Sequence, residues 1–199
     1  MHRRYFVLTG LILLLASEPF FPGAVPKSEG RGHTKRNRSG KPEHVLSGID
    51  ISGKIEQVIG KYGKPDEVRN VTAEGAPEGS GERNYIWKKG PTTTSVTTGH
   101  HVDATGEQVE SETYEIEVTG SSAEGEIGKT GAGLSLGDTR NKADKIYGVL
   151  FHESQIYKSP LRGNHVPVLV IEWHNGARLC IALDERDRIN FIALMASVD

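Results

Sequence analysis

One cysteine, Cys180, stands among 199 residues, so no disulfide can close within the chain. It lies in Arg178-Leu179-Cys180-Ile181-Ala182-Leu183. A small buried hydrophobe is expected there rather than a reactive thiol. Long apolar runs are scarce as well. The run Phe6 to Ala16 has 11 residues, short of the roughly 20 a helix needs to span a bilayer. Positive charge is missing from a whole stretch: Gly90 to Gly128 holds no Lys or Arg, but carries Asp103, Glu107, Glu110, Glu112, Glu115, Glu117, Glu124 and Glu126. With a net charge of −2, the molecule is not built to track nucleic acid or an anionic membrane.

What is present begins with an export signal. His2-Arg3-Arg4 precedes the apolar run, and Ser17 and Ala24 are candidate cleavage positions. Residues 1–24 are therefore expected to be a signal peptide, or an anchor if uncleaved, and the protein to be secreted, periplasmic or held at the cell envelope. Membrane contact is expected only through an uncleaved segment. From Pro26 to His44 there are six Lys or Arg against Glu29 and Glu43, and almost no apolar residues. Residues 25–44 thus bury too little to offset ordering entropy and read as a basic, disordered linker.

Beyond the linker one pattern occurs twice. Gly48-Ile49-Asp50-Ile51 to Tyr62-Gly63 and Gly133-Leu134-Ser135-Leu136 to Tyr147-Gly148 align at an offset of 85. Trp87-Lys88-Lys89-Gly90 and Trp173-His174-Asn175-Gly176 then align at 86. Two landmarks at nearly one offset predict a duplicated unit. Ile55, Val58, Ile59 and Tyr62 are spaced i, i+3, i+4 and i+7, the apolar face of a helix. Ser52 is the expected N-cap, and Gly63-Lys64-Pro65 the stop. Asp138 or Thr139 is expected to cap a second helix through Tyr147. Asp66 to Glu82 reads as a loop, then Asn84 to Trp87 and Thr92 to Thr98 as strands, His100 to Glu110 as a polar loop, and Glu112 to Val118 as an alternating strand. There Tyr114, Ile116 and Val118 are expected inward and Glu115 and Glu117 toward solvent. Ser154 to Tyr157 falls in a link. Val166 to Trp173, Arg178 to Leu183 and Ile189 to Met195 read as strands, the first two joined by an Asn-Gly hairpin. The expected fold class is α+β, with two tandem helix-plus-antiparallel-meander repeats at 45–120 and 121–199.

No catalytic set emerges. Ala123 to Thr130 has the outline of a phosphate-binding loop, but Gly131-Ala132-Gly133 follows where a helix should start, and Glu124 and Glu126 repel phosphate. His100-His101-x-Asp103 has the character of metal ligands without ligands from a second segment. Glu172 and Asp184 are a thin case for paired carboxylates. No cofactor is expected. Trp87, Trp173 and Tyr114 are the candidate binding residues, with core packing as the simpler role for the two Trp side chains.

The repeated motif resembles a known group: the tandem α+β domains of the β-lactamase-inhibitor protein and of the SmpA/OmlA-type outer-membrane assembly lipoproteins. The likeness runs through Gly133, Leu134, Leu136, Gly137, Asp138, Thr139, Ala143, Tyr147, Gly148, Trp173 and Gly176. In the first copy it runs through Gly48, Ile49, Ile51, Val58, Tyr62, Gly63 and Pro65. Ser52 replaces an inner Gly, the second copy lacks the Pro, and no lipid-accepting Cys is present. The resemblance implies protein binding by a sheet surface without catalysis. The expectation is an exported, non-enzymatic binding or scaffold protein whose partner is another envelope or extracellular protein. The acidic stretch Asp103 to Glu117 would steer a basic partner. The alternative is an extracytoplasmic metal-dependent hydrolase built on His100, His101 and Asp103.

Overall fold

The structure, a computed structural model, describes residues 41–72, 77–148, 151–163 and 165–197, leaving aside the side chains of 153–156 and 165. The expected signal segment, and the linker up to residue 40, lie outside the described residues. Val45–Leu46 (β1) and Ile49–Asp50 (β2) open with a two-residue hairpin. Ser47 and Gly48 both take positive φ, 57° and 66°, as a tight hairpin turn demands. Ile55–Tyr62 (α1) follows and buries Ile55 and Val58, with Ile59 and Tyr62 packed against the core. Its N-cap is Lys54, whose N–H donates to Gln57 Oε1 at 3.3 Å. Ser52, the expected cap, turns back to Asp50 Oδ1, its backbone N–H at 2.9 Å and its hydroxyl at 2.7 Å.

Eight strands make one sheet. They are Glu67–Val71 (β3), Gly81–Lys89 (β4), Thr92–Val102 (β5), Gln108–Thr119 (β6), His152–Lys158 (β7), His165–Glu172 (β8), Arg178–Leu183 (β9) and Ile189–Met195 (β10). Arg140–Tyr147 (α2) lies between β6 and β7 in sequence, capped by Thr139 and ended by Gly148 in the left-handed region. The order across the sheet is β3-β4-β5-β6-β10-β9-β8-β7, with every pairing antiparallel. Bulges interrupt β5–β6, β9–β10 and β7–β8, and such bulges bend a sheet and increase its twist. The result is a curled half-barrel.

This overturns the expected α+β class of two helix-plus-meander repeats. Among the described residues 49% lie in strands and 11% in helix, and the helices are two. Each helix has only 8 residues, too little to form a layer of its own. Pairing of β6 with β10 joins all the strands of 67–195 into one sheet over one large core. Three segments read as irregular are strand: β3, the ends of β5 and β6 within the expected polar loop, and β7. β3 escaped detection because it is an edge strand with almost all its residues at least partly exposed and so shows no alternation.

The main core lies on one sheet face. Tyr85, Trp87, Val96, Ile116, Val118, Leu179, Ile181, Ile192 and Leu194 meet Leu46, Ile49, Ile55, Val58, Leu134, Leu136 and Ala143 there. The repeated Tyr and Trp residues meet in both halves, with ring centroids 5.7 Å apart for Tyr62–Trp87 and 6.2 Å for Tyr147–Trp173. Trp87 Nε1 donates to Gly63 O at 2.9 Å, holding a residue at φ 82°. Cutting Ile116 to Ala at the centre of this core should remove about 2–5 kcal/mol. Urea unfolding followed by near- and far-ultraviolet dichroism should give one shared transition, because one core serves the whole sheet. Two separated transitions would show that the two halves fold independently.

Candidate functional site: a covered acidic pair beside a small pocket

Strand alternation sends Ile116 and Val118 of β6 into the main core and Glu115 and Glu117 to the opposite face. Across the ladders, Ser95 and Ala193 flank Glu117, and Thr97 and Met195 flank Glu115. One strand further, Asn84 stands beside Thr97, whose hydroxyl lies 2.7 Å from Asn84 Oδ1. On the other side Phe191, Ala193, Cys180, Ala182, Val168 and Val170 form a second apolar cluster with Tyr157. The two Glu side chains therefore leave the sheet between a polar strip and an apolar one.

Glu117 does not reach solvent and Glu115 is only partly exposed, which corrects the expectation for them. The chain following β7 crosses over their face. The Tyr157 hydroxyl donates to Glu115 Oε1. Ser159 Oγ and the Leu161 N–H donate to Glu117 Oε2 at 2.9 and 3.1 Å. Arg162 donates to Thr119 Oγ1 at 3.1 Å and to Asn190 O at 3.2 Å, and its guanidinium lies 5.1 Å from the centre of the Phe191 ring. At the far edge of the curl, Arg69 of β3 donates to Pro160 O at 3.1 Å. Glu117 is fully buried, yet among the described residues its Oε1 has no hydrogen-bond partner, and neither has the Oγ of buried Ser95 directly across the ladder.

Burial pushes the Glu115 carboxyl up to about 7; the Tyr157 hydrogen bond works against this, while the charges of Glu117 and Glu82 add to it. Glu117 is raised too, by burial above all, against the nearby Tyr157 hydroxyl, the bonds from Ser159 and Leu161 and the charge of Arg162. Tyr157 is pushed far up by burial and by both carboxylates, so its hydroxyl stays a proton donor. Beside the pair a cavity of about 220 Å³ opens, walled by Tyr157, Val168, Val170, Cys180 and Met195. His152, Glu172 and Arg178 stand at it, the last two as an ion pair at 3.6 Å. Cys180 is buried and its thiol pushed up to about 12, which leaves it neutral and unreactive, in line with the sequence.

The residues singled out from sequence fall elsewhere. Trp87 and Trp173 are 5% and 4% exposed. Each shows an edge to a different cleft: Trp87 to one of about 480 Å³ with Lys64, Lys88 and Lys89, Trp173 to one of about 390 Å³ beside Glu43 and Tyr147. Tyr114 sits at the β5–β6 bulge, between the pairs Thr97↔Glu115 and Thr98↔Thr113. It misses the main core, and its buried hydroxyl has no hydrogen-bond partner among the described residues. Burial raises its pKa, and Glu82 adds to the rise.

His100 and His101 are successive residues of β5, the first buried and the second exposed, so they face opposite ways. Asp103 Oδ1 already accepts from the Thr105 N–H at 2.8 Å and the Glu107 N–H at 3.0 Å. These three are not brought together, and no cluster of His, Cys, Asp and Glu among the described residues is arranged to hold a metal. The resemblance to a phosphate loop also dissolves. The N–H groups of Ile127, Gly128, Lys129, Thr130, Gly131, Ala132 and Gly133 all donate to partners within the fold. Glu110 is spent on Tyr85 at 2.6 Å, Thr98 and Arg83, and Glu115 and Glu117 are covered. Asp103 is partly exposed, and Glu107 and Glu112 are exposed to solvent. Asp184 closes its hairpin by accepting from the Arg186 and Arg188 N–H groups, both at 2.9 Å.

The acidic pair was invisible to sequence reasoning because Glu at alternate positions reads as a solvent face. Only the crossing of residues 159–162, far along the chain, reverses that reading. Fold and site together define an antiparallel half-barrel that covers two carboxyl side chains with one of its own loops. No known protein family, curated protein sequence or solved structure matches the chain.

Two outcomes follow from this geometry. Glu115 holds its proton more tightly in the fold than the ordinary 4.5, so its stabilising effect is complete below about pH 4.5 and disappears as pH rises through about 7. The loss is on the order of 3 kcal/mol at most. Urea unfolding at pH 5 and pH 8 should register it, and Glu115→Gln should flatten the difference; equal slopes in both proteins would refute the assignment. Adding zinc should leave the melting temperature of wild type and His101→Ala equal, whereas a rise confined to wild type would restore the metal reading of this hairpin.

Proposed function

We propose that this chain is an exported, non-enzymatic binding protein that accepts one side chain of a protein partner in the pocket on the second sheet face. The observation that carries this is the pocket itself. At about 220 Å³ it lies below the roughly 300–1,000 Å³ of typical small-molecule sites, and matches the volume of one large residue. Its lining is mixed: Val168, Val170, Met195 and the Tyr157 ring give it an apolar side, and His152 and the Glu172–Arg178 pair a polar one. Interfaces take their affinity from such an arrangement, one aromatic or aliphatic anchor in a desolvated hole with near-neutral contacts around it. The sequence resemblance to families that bind proteins without catalysis supports the same class. Export rests on the N-terminal residue pattern. Among the described residues no helix is long and apolar enough to cross a membrane.

The test is a peptide-display selection on wild type and on Met195→Trp, which fills the mouth of the pocket from a partly buried position. Selected peptides should share one large apolar anchor and lose at least tenfold in affinity on the variant, with circular dichroism unchanged. Peptides with no common anchor, or equal affinity for both proteins, would discard the pocket.

A further inference from the structure

The pocket and the acidic pair share a residue. Tyr157 gives its ring to the pocket wall and its hydroxyl to Glu115. Met195, another wall residue, is the direct cross-strand neighbour of Glu115. The loop that follows Tyr157 is fastened only two residues along β6, at Glu117. Any change in how the carboxyl pair holds its partners therefore reaches the pocket through one side chain and one short turn.

We infer that Glu115 and Glu117 form a proton-operated latch: protonated, the pair keeps Tyr157 and the loop Ser159–Gly163 closed on the sheet, and ionised, it releases them and reshapes the pocket. This rests on the pocket being the binding site, and adds a control to it. The groups that face the latch from each packed element are few. Glu82 approaches from β4, Tyr114 shares β6, Cys180 lies on β9, Tyr157 comes from β7 and Arg162 from the loop. Arg162 is the one cation among them, it stands near Glu117, and burial lowers its pKa. With Glu82 adding a like charge, ionisation of Glu115 places negative charges together in a partly covered site. Such a site relieves itself by admitting water. Glu117 Oε1 and Ser95 Oγ, which have no hydrogen-bond partner among the described residues, give entering water its first partners.

The direction is fixed by linkage. A carboxyl that is more easily protonated in the closed form favours closure at low pH and opposes it once pH exceeds its raised value. For Glu115 that window runs from about 4.5 to about 7. The Leu161 amide reports the latch directly, since it donates to Glu117 Oε2. Its hydrogen-exchange protection, corrected for the intrinsic pH dependence of exchange, should fall at least tenfold between pH 5 and pH 8 in the free protein. Amides of β9 and β10 should keep theirs. In Glu115→Gln the Leu161 protection should stay high across the range. Protection in wild type that does not change with pH, or that falls together with β9 and β10, would overturn the latch. So would an equal fall in the Gln variant. Should that variant not fold, the carbon-13 shift of the Glu115 carboxyl in wild type decides, since titration near the ordinary 4.5 also overturns it. These measurements use no partner, so the latch and the peptide pocket stand or fall separately.

Discussion

Five residue pairs, from Phe191↔Thr119 to Met195↔Glu115, stitch β10 to β6, and the remainder of the molecule follows from that register. A strand has a side-chain period of two, so a slip by one residue exchanges its faces. Here a slip would lift Ile192 and Leu194 out of the main core and drop Phe191, Ala193 and Met195 into it. β6 carries the sharper penalty, because its other face holds Glu115 and Glu117. Apolar residues at 116 and 118 and carboxyls at 115 and 117 make only one register tolerable. That register turns two runs of strands into one sheet with one interior.

A continuous sheet of eight strands has two faces to cover. The helices, β1–β2 and the chain from 128 to 143 cover one with apolar side chains. The other is shared between an apolar cluster around Phe191 and a polar strip on β4–β6, and the protein closes it with residues 157–162. Carboxyls under such cover do not find enough donors. Among the described residues Glu117 receives two bonds on one oxygen and none on the other. A buried group left in that state marks a place where the fold has given up stability, and such places are frequently the ones that move or bind.

The basic physics of this arrangement explains why the pocket, the loop and the acidic pair belong together. The loop is short and reaches Arg69 at the opposite edge of the curl, so it cannot shift without loosening contacts on both β3 and β6. The pocket stands where the apolar half of the face meets the acidic half, with Tyr157 on the boundary. Binding and protonation thereby act on the same few atoms.

The sequence by itself determined the local elements. The spacing of Ile55, Val58, Ile59 and Tyr62 wrote the first helix, Asn175-Gly176 wrote a hairpin, and Ile116 and Val118 identified the buried side of β6. Buried Cys180 and the meeting of Tyr62 with Trp87 and of Tyr147 with Trp173 agree with the residue patterns too. These depend on neighbours within a few positions or on one strong apolar face. The union of the strands into one half-barrel, and so the fold class, did not follow, because strand order depends on contacts between residues more than 70 positions apart, such as Phe191 and Thr119. The candidate site was decided at the same level. Glu115 and Glu117 look solvated until a loop some 40 residues later folds over them, and burial by a distant segment leaves no mark on local periodicity.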